Sequence, residues 1–72
     1  MRVKSNLKQI LDSRKMSIRS LSEQTGIPFE TVRRLYNDTT IRYERHTLGK
    51  ICETLNIDIS DLLVLIKEED TE

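Results

Sequence analysis

Two adjacent arginines follow a glycine-centred turn in the stretch LSEQTGIPFETVRRLY, residues 21–36. The guanidinium groups of Arg33 and Arg34 carry rigid sets of donors that match paired acceptors on anions and on purine edges. Glu30 precedes them by one helical turn and supplies acceptors. The whole chain holds 12 basic and 12 acidic residues, so its composition does not account for a local basic pair. These side chains are therefore candidates for binding a polyanion.

The outward positions of this segment follow from a rotation of about 100° per residue along a helix. When Val32 is placed at the centre of the inward face, Leu35 and Tyr36 fall within about 60° of it. The opposite face carries Glu30, Arg33, Arg34 and Asn37, with Phe29 on its flank. A solvated face with Glu30 paired to Arg34 is the alternative, but exposed pairs contribute only about 0.3–0.5 kcal/mol, so stability alone does not require them.

Two short helices joined by a turn with Gly26 form a helix-turn-helix arrangement, whose second helix enters the DNA major groove. The residues predicted to contact bases are Phe29, Glu30, Arg33, Arg34 and Asn37. Arginine can bridge guanine O6 and N7, glutamate accepts from cytosine N4, and an aromatic ring can rest on a thymine methyl. For Phe29, the alternative is that its ring folds back onto the preceding helix.

Affinity is expected to come from phosphates, because phosphate contacts position a protein on DNA without reading its sequence. Donors are concentrated at the start of the second helix and in the segment DTTIRYERH, residues 38–46. The predicted backbone-contacting residues are Ser17, Arg19, Thr31, Thr39, Thr40, Arg42 and Tyr43. For Arg42 and Tyr43, the alternative is a plain exposed loop.

Apolar residues at helical spacing predict the elements that position these side chains. We expect an all-α fold, a compact five-helix bundle forming one domain over residues 1–72, with a core of about 5–67 and an acidic tail over 68–72. We predict a first helix over about 5–14 capped by Ser5 or Asn6, a second from the Ser17 cap to Gly26, and a third over about 28–37. The predicted fourth helix runs through Leu48, Ile51, Cys52 and Leu55 to Asn56. The predicted fifth helix starts at Ser60 or Asp58 and runs through Leu62, Leu63 and Ile66.

Residues 7–63 resemble the Cro/cI-type, lambda-repressor-like helix-turn-helix domain of bacterial and phage transcriptional regulators. The strings that carry the resemblance are LSEQTGIPFETVRRL and TLGKICETLNIDISDLL. The resemblance implies a five-helix domain that regulates transcription as a dimer on a palindromic operator. It assigns base reading to Phe29, Glu30, Arg33 and Arg34, and backbone positioning to residues near Ser17. The chain departs from the pattern with Ile18 for a DNA-contacting Gln, Ser22 for Ala and Asp38 for a closing Gly.

Charge is divided along the chain, and its division bears on partners. Residues 1–50 carry eleven basic and five acidic side chains, and residues 51–72 carry Lys67 against seven acids, which gives +6 and −6. On a helical wheel of the fifth helix Val64 points away from the inward stripe and Leu65 lies at its edge. We therefore predict a homodimer through that helix. The alternative is a protein-interaction module of antitoxin or anti-repressor type, with the acidic C-terminal end as the contact.

Several function classes lack support in the sequence. One cysteine, Cys52, and one histidine, His46, cannot form a zinc set or an internal disulfide, so we expect a reduced, cytoplasmic protein without metal or cofactor. No glycine-rich phosphate loop or small-molecule site is evident, and we expect no enzyme activity. The longest apolar run, residues 62–66, is far shorter than a membrane span, so we expect no membrane partner. Double-stranded DNA is the expected ligand.

Overall fold

Residues 1–67 are the part of the chain that the computed structural model describes, and they form five helices and two strands. In chain order these are β1 (Arg2–Ser5), α1 (Leu7–Arg14), α2 (Ile18–Thr25), α3 (Phe29–Asn37), α4 (Arg45–Leu55), α5 (Ile59–Leu62) and β2 (Leu63–Ile66). The predicted acidic tail, residues 68–72, lies outside the described residues. No helix in residues 1–67 is long and apolar enough to cross a bilayer.

The helices pack around an aliphatic core that follows the apolar spacing of the sequence. Its buried members are Leu7, Leu11, Leu21, Ile27, Val32, Leu35, Ile51, Leu55 and Leu62. Full burial of one such side chain contributes roughly 1.5–3 kcal/mol, so these residues supply the main driving force for folding. Val32 and Leu35 are the fully buried residues of α3. Most of the surface of α3 therefore stays outside the core.

The predicted helix ends are confirmed at three positions. The Ser17 hydroxyl accepts the Ser20 N–H at 3.0 Å and caps α2. Gly26 ends α2 with φ at 77°, the left-handed region that glycine enters without steric cost. Asn56 ends α4 with φ at 57°. Local sequence signals are therefore sufficient to delimit the helices around the helix-turn-helix.

The prediction of a fifth helix through Leu63 and Ile66 is wrong beyond Leu62. The helix α5 is a single turn that begins with a capping box. The Asp58 side chain accepts the Asp61 N–H, and the Asp61 side chain accepts the Asp58 N–H. The chain then extends as β2. The run LLVLI has no period that separates a buried helix from a strand, so local pattern could not decide its conformation.

The strand β2 pairs antiparallel with β1, and the fold is therefore not strictly all-α. In this register Ser5 lies opposite Leu63 and Arg2 lies opposite Ile66. No strand was expected from the sequence, because RVKS is too short to display an alternating pattern. Pairing between segments about 60 residues apart is a non-local interaction that periodicity does not report. The two ends of the described chain thus close the helical bundle with a small sheet.

Candidate nucleic-acid interface

The turn between α2 and α3 is fixed by side-chain hydrogen bonds to its own backbone. The Ser22 hydroxyl donates to the Ile27 carbonyl at 2.6 Å, and the Thr25 hydroxyl donates to the Leu21 carbonyl at 2.8 Å. Thr25 Oγ1 also accepts the Ile27 N–H at 3.2 Å. Sequence reasoning did not identify Ser22 and Thr25 for this role, although hydroxyl residues beside Gly26 are a typical turn signal. These bonds set the direction in which α3 leaves α2.

The outward face of α3 is open to solvent. Its inward positions, Val32 and Leu35, are buried, in agreement with the helical wheel. The residues predicted to contact bases are all exposed: Phe29, Glu30, Arg33, Arg34 and Asn37. The helix thus presents two guanidinium groups, a carboxylate and an amide on one accessible surface. Their contact with DNA stays a prediction.

Glu30 holds both arginines in an ionic cluster on this face. Arg33 Nε donates to Glu30 Oε1 at 3.0 Å, and Arg33 Nη2 donates to Glu30 Oε2. Arg34 Nε lies 3.5 Å from Glu30 Oε2. The hydrogen bonds and the positive charge of Arg33, with a smaller contribution from Arg34, lower the pKa of the Glu30 carboxyl, while partial desolvation opposes them. The same pairing raises the pKa of Arg33. In the free protein the Glu30 carboxylate and the Arg33 guanidinium are thus each paired with an oppositely charged neighbour.

An open cleft of about 370 Å³ separates the start of α2 from α3. The predicted residues Ser17, Arg19 and Phe29 lie along it, beside Met16, Ile18 and Tyr36. The Arg19 guanidinium lies over the Phe29 ring, 5.6 Å from its centroid, a cation–π contact. The ring therefore contacts a residue of α2, as the alternative for Phe29 expected, and remains 43% exposed; its contact with DNA stays a prediction. This cleft brings predicted backbone-contacting and base-contacting residues together.

A second cleft, of about 580 Å³, lies on the other side of α3. Its lining consists of Thr31, Arg34, Thr39, Thr40, Ile41 and Arg42. Four predicted backbone-contacting residues are thus gathered there with a guanidinium from the outward face. Thr40 donates its hydroxyl to the Arg42 carbonyl at 2.8 Å, which shapes the loop at this point. Two positive charges and hydroxyl donors suit this cleft to an anion.

Tyr43 differs from the other predicted loop residues. It is half-buried and packs against the core, and it lines a smaller recess beside the second cleft. Burial, and to a smaller extent the charge of Asp38, raise the pKa of its hydroxyl, while the charge of Arg2 opposes them. Its ring therefore has a packing role in addition to any contact that its hydroxyl makes with a ligand.

Tyr36 and Asp38 tie α3 to the rest of the fold, a role that the sequence did not indicate for either residue. The Tyr36 hydroxyl donates to Asp12 Oδ1 of α1 at 2.8 Å, and Lys8 Nζ lies 5.3 Å from the centroid of the Tyr36 ring. This hydrogen bond, together with desolvation and the charge of Asp12, raises the pKa of the Tyr36 hydroxyl. Asp38 ends α3, and its carboxylate contacts β1. Both links join positions far apart in sequence, so no local signal reveals them.

The predicted dimer residues lie on a strand instead of a helix. Val64 is half-buried and Leu65 is 64% exposed, so the helical wheel was wrong to make Val64 the outward residue. The strand β2 has an apolar sequence, LVLI, and no strand of residues 1–67 pairs with its second edge. Among the described residues this apolar edge is left uncovered, and a homodimer through it stays a prediction.

The residues with catalytic or metal-binding chemistry are dispersed. His46 is exposed in the first turn of α4. Cys52 is half-buried against the core, and burial, followed by the charges of Asp58 and Asp61, raises the pKa of its thiol. Within residues 1–67 no three His, Cys, Asp or Glu residues are grouped to hold a metal ion. Polar groups of the described residues converge on α3 and its two clefts, and also in a cleft of about 460 Å³ where the C-terminal end of α3 meets β1 and α1.

Comparison with known proteins agrees with this geometry. An HTH-type transcriptional regulator of Bacillus subtilis strain 168, the uncharacterized YozG, is 35% identical over 66 residues, which cover 92% of this chain and 79% of the relative. A crystal structure of a protein from Bacteroides fragilis, assigned as DNA-binding, superposes with a TM-score of 0.75 at 25% identity and covers 88% of this chain and all of that one. The transcriptional regulator VanUg superposes with a TM-score of 0.72 at 31% identity, over 88% of this chain and 83% of that chain.

The match to a family extends over the helix-turn-helix and the elements that support it. The model of the Cro/C1-type HTH DNA-binding domain matches residues 6–68, which include both clefts and all of α3. This match covers the turn held by Ser22 and Thr25, and it also covers the exposed basic face of α3. The chain is thus a member of the Cro/C1-type helix-turn-helix family, the DNA-binding domain of HTH-type transcriptional regulators.

Proposed function

We propose that this protein is a sequence-specific repressor that inserts α3 into the major groove of double-stranded DNA. The observation that carries this proposal is the exposed face of α3, where Arg33 and Arg34 lie between two open clefts. A major groove about 12 Å wide accommodates one helix, and the phosphates that border it then lie over the flanks of that helix. The two clefts are the matching flanks here.

Base reading is assigned to the outward face of α3. Arg33 and Arg34 are suited to guanine O6 and N7, and Glu30 to a cytosine amino group. Asn37 carries an amide that can pair with adenine N6 and N7. Since Glu30 already accepts hydrogen bonds from Arg33 and forms an ion pair with Arg34, binding requires an exchange of partners, from the carboxylate to the base edges. Phe29 contributes an apolar contact at the start of the helix.

Phosphate contacts are assigned to the flanks. Ser17 and Arg19 border the cleft at the N-terminus of α2, the end of a helix that favours anions. Thr31, Thr39, Thr40 and Arg42 border the other cleft. Tyr43 stands next to it. These groups bind the backbone of any sequence, so they supply affinity and register while α3 supplies specificity.

The proposed assembly is a homodimer formed through β2. Asn6 N–H donates to the Leu62 carbonyl at 2.7 Å, and hydrogen-bonded pairs alternate along an antiparallel ladder. The pairs Lys4 with Val64 and Arg2 with Ile66 then bond within the sheet, which directs the Leu63 carbonyl and both backbone groups of Leu65 to the outer edge, while the Leu63 N–H donates to the Ile59 carbonyl.

An apolar edge strand of this kind is a template for another strand. A second copy offers the same edge, and two-fold pairing of β2 with β2 satisfies both. Val64 and Leu65 would contribute side chains to that contact. Dimers of this class place two recognition helices about 34 Å apart, one turn of DNA. Repression follows from occupancy, because a bound dimer blocks polymerase without needing a further contact surface.

Selection of bound sites from a random oligonucleotide pool tests the proposal. We expect a two-fold-symmetric consensus with half-sites separated by about one helical turn, and affinity that falls steeply with salt as counterions are released. A protein-interaction module would enrich no sequence and would show no affinity for duplex DNA at low salt. That result would overturn the proposed function, and transcription unaffected by a bound operator would overturn repression.

A further inference from the structure

Three helices end in a residue other than glycine in the left-handed region. Lys15 after α1 has φ at 56°, Asp38 after α3 has φ at 59°, and Asn56 after α4 has φ at 57°. This conformation is sterically unfavourable for residues with a Cβ, least so for Asn and Asp, and glycine is the usual occupant. A side chain retained at such a position is therefore of interest where it makes contacts that glycine cannot.

Asp38 makes such contacts and makes them with a distant element. Its Oδ1 accepts the backbone N–H of Ser5 at 3.0 Å, and its Oδ2 forms an ion pair with Arg2 Nη1 at 3.2 Å. The side chain of Asp38 is only 18% exposed. Ser5 and Arg2 are the last and first residues of β1. One carboxylate thus spans the whole strand from the end of α3.

The partners of Asp38 belong to the sheet that joins the two ends of the described chain. Ser5 lies opposite Leu63 and Arg2 lies opposite Ile66, so β1 is bonded to β2 on one side. The alternation of ladder bonds directs the Ser5 N–H away from β2, and Asp38 supplies its acceptor. The carboxylate therefore occupies the outer edge of β1 and connects the sheet to the C-terminal end of α3.

We propose that Asp38 is a positioning residue that couples the recognition helix to the terminal sheet. The Tyr36–Asp12 hydrogen bond holds one side of α3 to α1, and Asp38 holds its C-terminal end to β1. Without the second link, α3 can tilt about its buried residues and carry Arg33 and Arg34 out of register with the bases. The inference rests on the proposed function and deepens it, since the integrity of the sheet then controls base reading.

The coupling also connects the two proposed surfaces of the molecule. The edge of β2 that is proposed to pair with a second copy belongs to the same two-stranded sheet that Asp38 contacts. Formation of a four-stranded sheet would rigidify β1, and Asp38 would transmit that ordering to α3. Residues that link two parts of a protein in this way modulate coupling by amounts that correspond to about 2- to 30-fold in affinity.

The test compares Asp38→Gly with Asp38→Asn and with Lys15→Gly as a matched control. Glycine suits the left-handed conformation at both positions, so a residue that only ends a helix should tolerate it. We expect Asp38→Gly to lower the ratio of affinity for the selected duplex to affinity for a scrambled duplex by about 2- to 30-fold, at a temperature where every variant is folded. Lys15→Gly should keep the wild-type ratio, because the loss of one charge acts on both duplexes alike. Asp38→Asn keeps an acceptor for the Ser5 N–H but loses the charge, so its ratio of affinities should lie between those of the wild type and Asp38→Gly.

A measurement without DNA separates failure of this inference from failure of the proposed function. Hydrogen exchange of the Ser5 amide and the amide chemical shifts of α3 report the link directly. We expect Asp38→Gly to accelerate the Ser5 exchange and to shift the α3 amides, and Lys15→Gly to do neither. If the wild type binds no duplex, the proposed function fails, but these two changes would still support the coupling. If Asp38→Gly matches Lys15→Gly in exchange, shifts and the ratio of the two affinities, the inference is overturned.

Discussion

Glu30 Oε1 accepts a hydrogen bond from Arg33 Nε at 3.0 Å, so this exposed guanidinium group already has a partner in the free protein. The same carboxylate lies 3.5 Å from Arg34 Nε. Exposed pairs of this kind are weak, so they do not explain the presence of three charged residues on one turn of α3. Under the proposed mode of binding, DNA competes with Glu30 for both guanidinium groups.

We predict that Glu30→Gln strengthens binding to unrelated duplexes and weakens discrimination. The substitution keeps the shape of the side chain but removes the competing charge, so non-specific affinity at low salt should rise about 2- to 5-fold. Discrimination at the base pair that Glu30 reads should fall. Fluorescence anisotropy with selected and scrambled duplexes measures both effects. Glu53→Gln, an equal change of charge on α4 away from this face, is the control, and equal effects of the two variants would contradict the role of Glu30.

Arg33→Ala and Arg42→Ala should separate base reading from phosphate binding. Loss of Arg33 should reduce preference for one base pair by about 5- to 150-fold, the discrimination expected from a bidentate contact. Loss of Arg42 should weaken binding to all sequences alike and reduce the slope of log K against log salt by about 1. Titrations at several salt concentrations with a set of single-base operator variants distinguish the two patterns. Identical profiles for the two variants would show that these assignments are wrong.

The part of this site that could be predicted from the sequence is the part set by local geometry. The 3.6-residue period placed Val32 inward and Arg33 and Arg34 outward, and the Ser17 cap and Gly26 delimited the turn. These features depend on residues within a few positions of each other, for which local rules hold. Membership of the family is likewise confirmed, because the motif string is itself local.

The features that the sequence did not reveal are non-local contacts. β2 forms because Leu63–Ile66 meets Arg2–Ser5, and no property of LLVLI alone distinguishes a strand from one more helical turn. In the same way the Asp38 carboxylate has a role only because Ser5 N–H lies within reach. A departure from the family pattern, Asp for Gly at position 38, was visible in the sequence, but its partner was not.

Leu65→Lys should disrupt the proposed dimer without unfolding the protomer. Leu65 is 64% exposed, so a charge there costs little in the monomer, whereas it would be buried or repelled by its symmetry mate in a β2–β2 pair. Analytical ultracentrifugation over a range of concentrations should show a dimer for the wild type and a monomer for the variant. Ile59→Lys alters another exposed aliphatic residue, on α5, and is expected to leave the dimer intact. A wild type that remains monomeric at high micromolar concentration would contradict the assembly.

Tyr36→Phe should lower the thermal stability of the protein at neutral pH. The stability of this variant should then decline less than that of the wild type as the pH rises into the alkaline range. The hydrogen bond to Asp12 is chiefly responsible for raising the pKa of the Tyr36 hydroxyl, so the folded protein retains this proton at a pH where the unfolded chain loses it. The resulting stabilisation is complete below the unfolded pKa of about 10 and disappears as pH rises through the higher folded value. Thermal melts from neutral pH to above pH 10 should therefore show a gap in Tm of about 2–5 °C between wild type and variant that closes in alkali. Tyr43→Phe is the control, because the pKa of the Tyr43 hydroxyl is raised chiefly by burial, and its Tm at neutral pH should equal that of the wild type. A Tyr36→Phe profile that coincides with the wild type would mean that the Tyr36–Asp12 bond does not hold α3 in place.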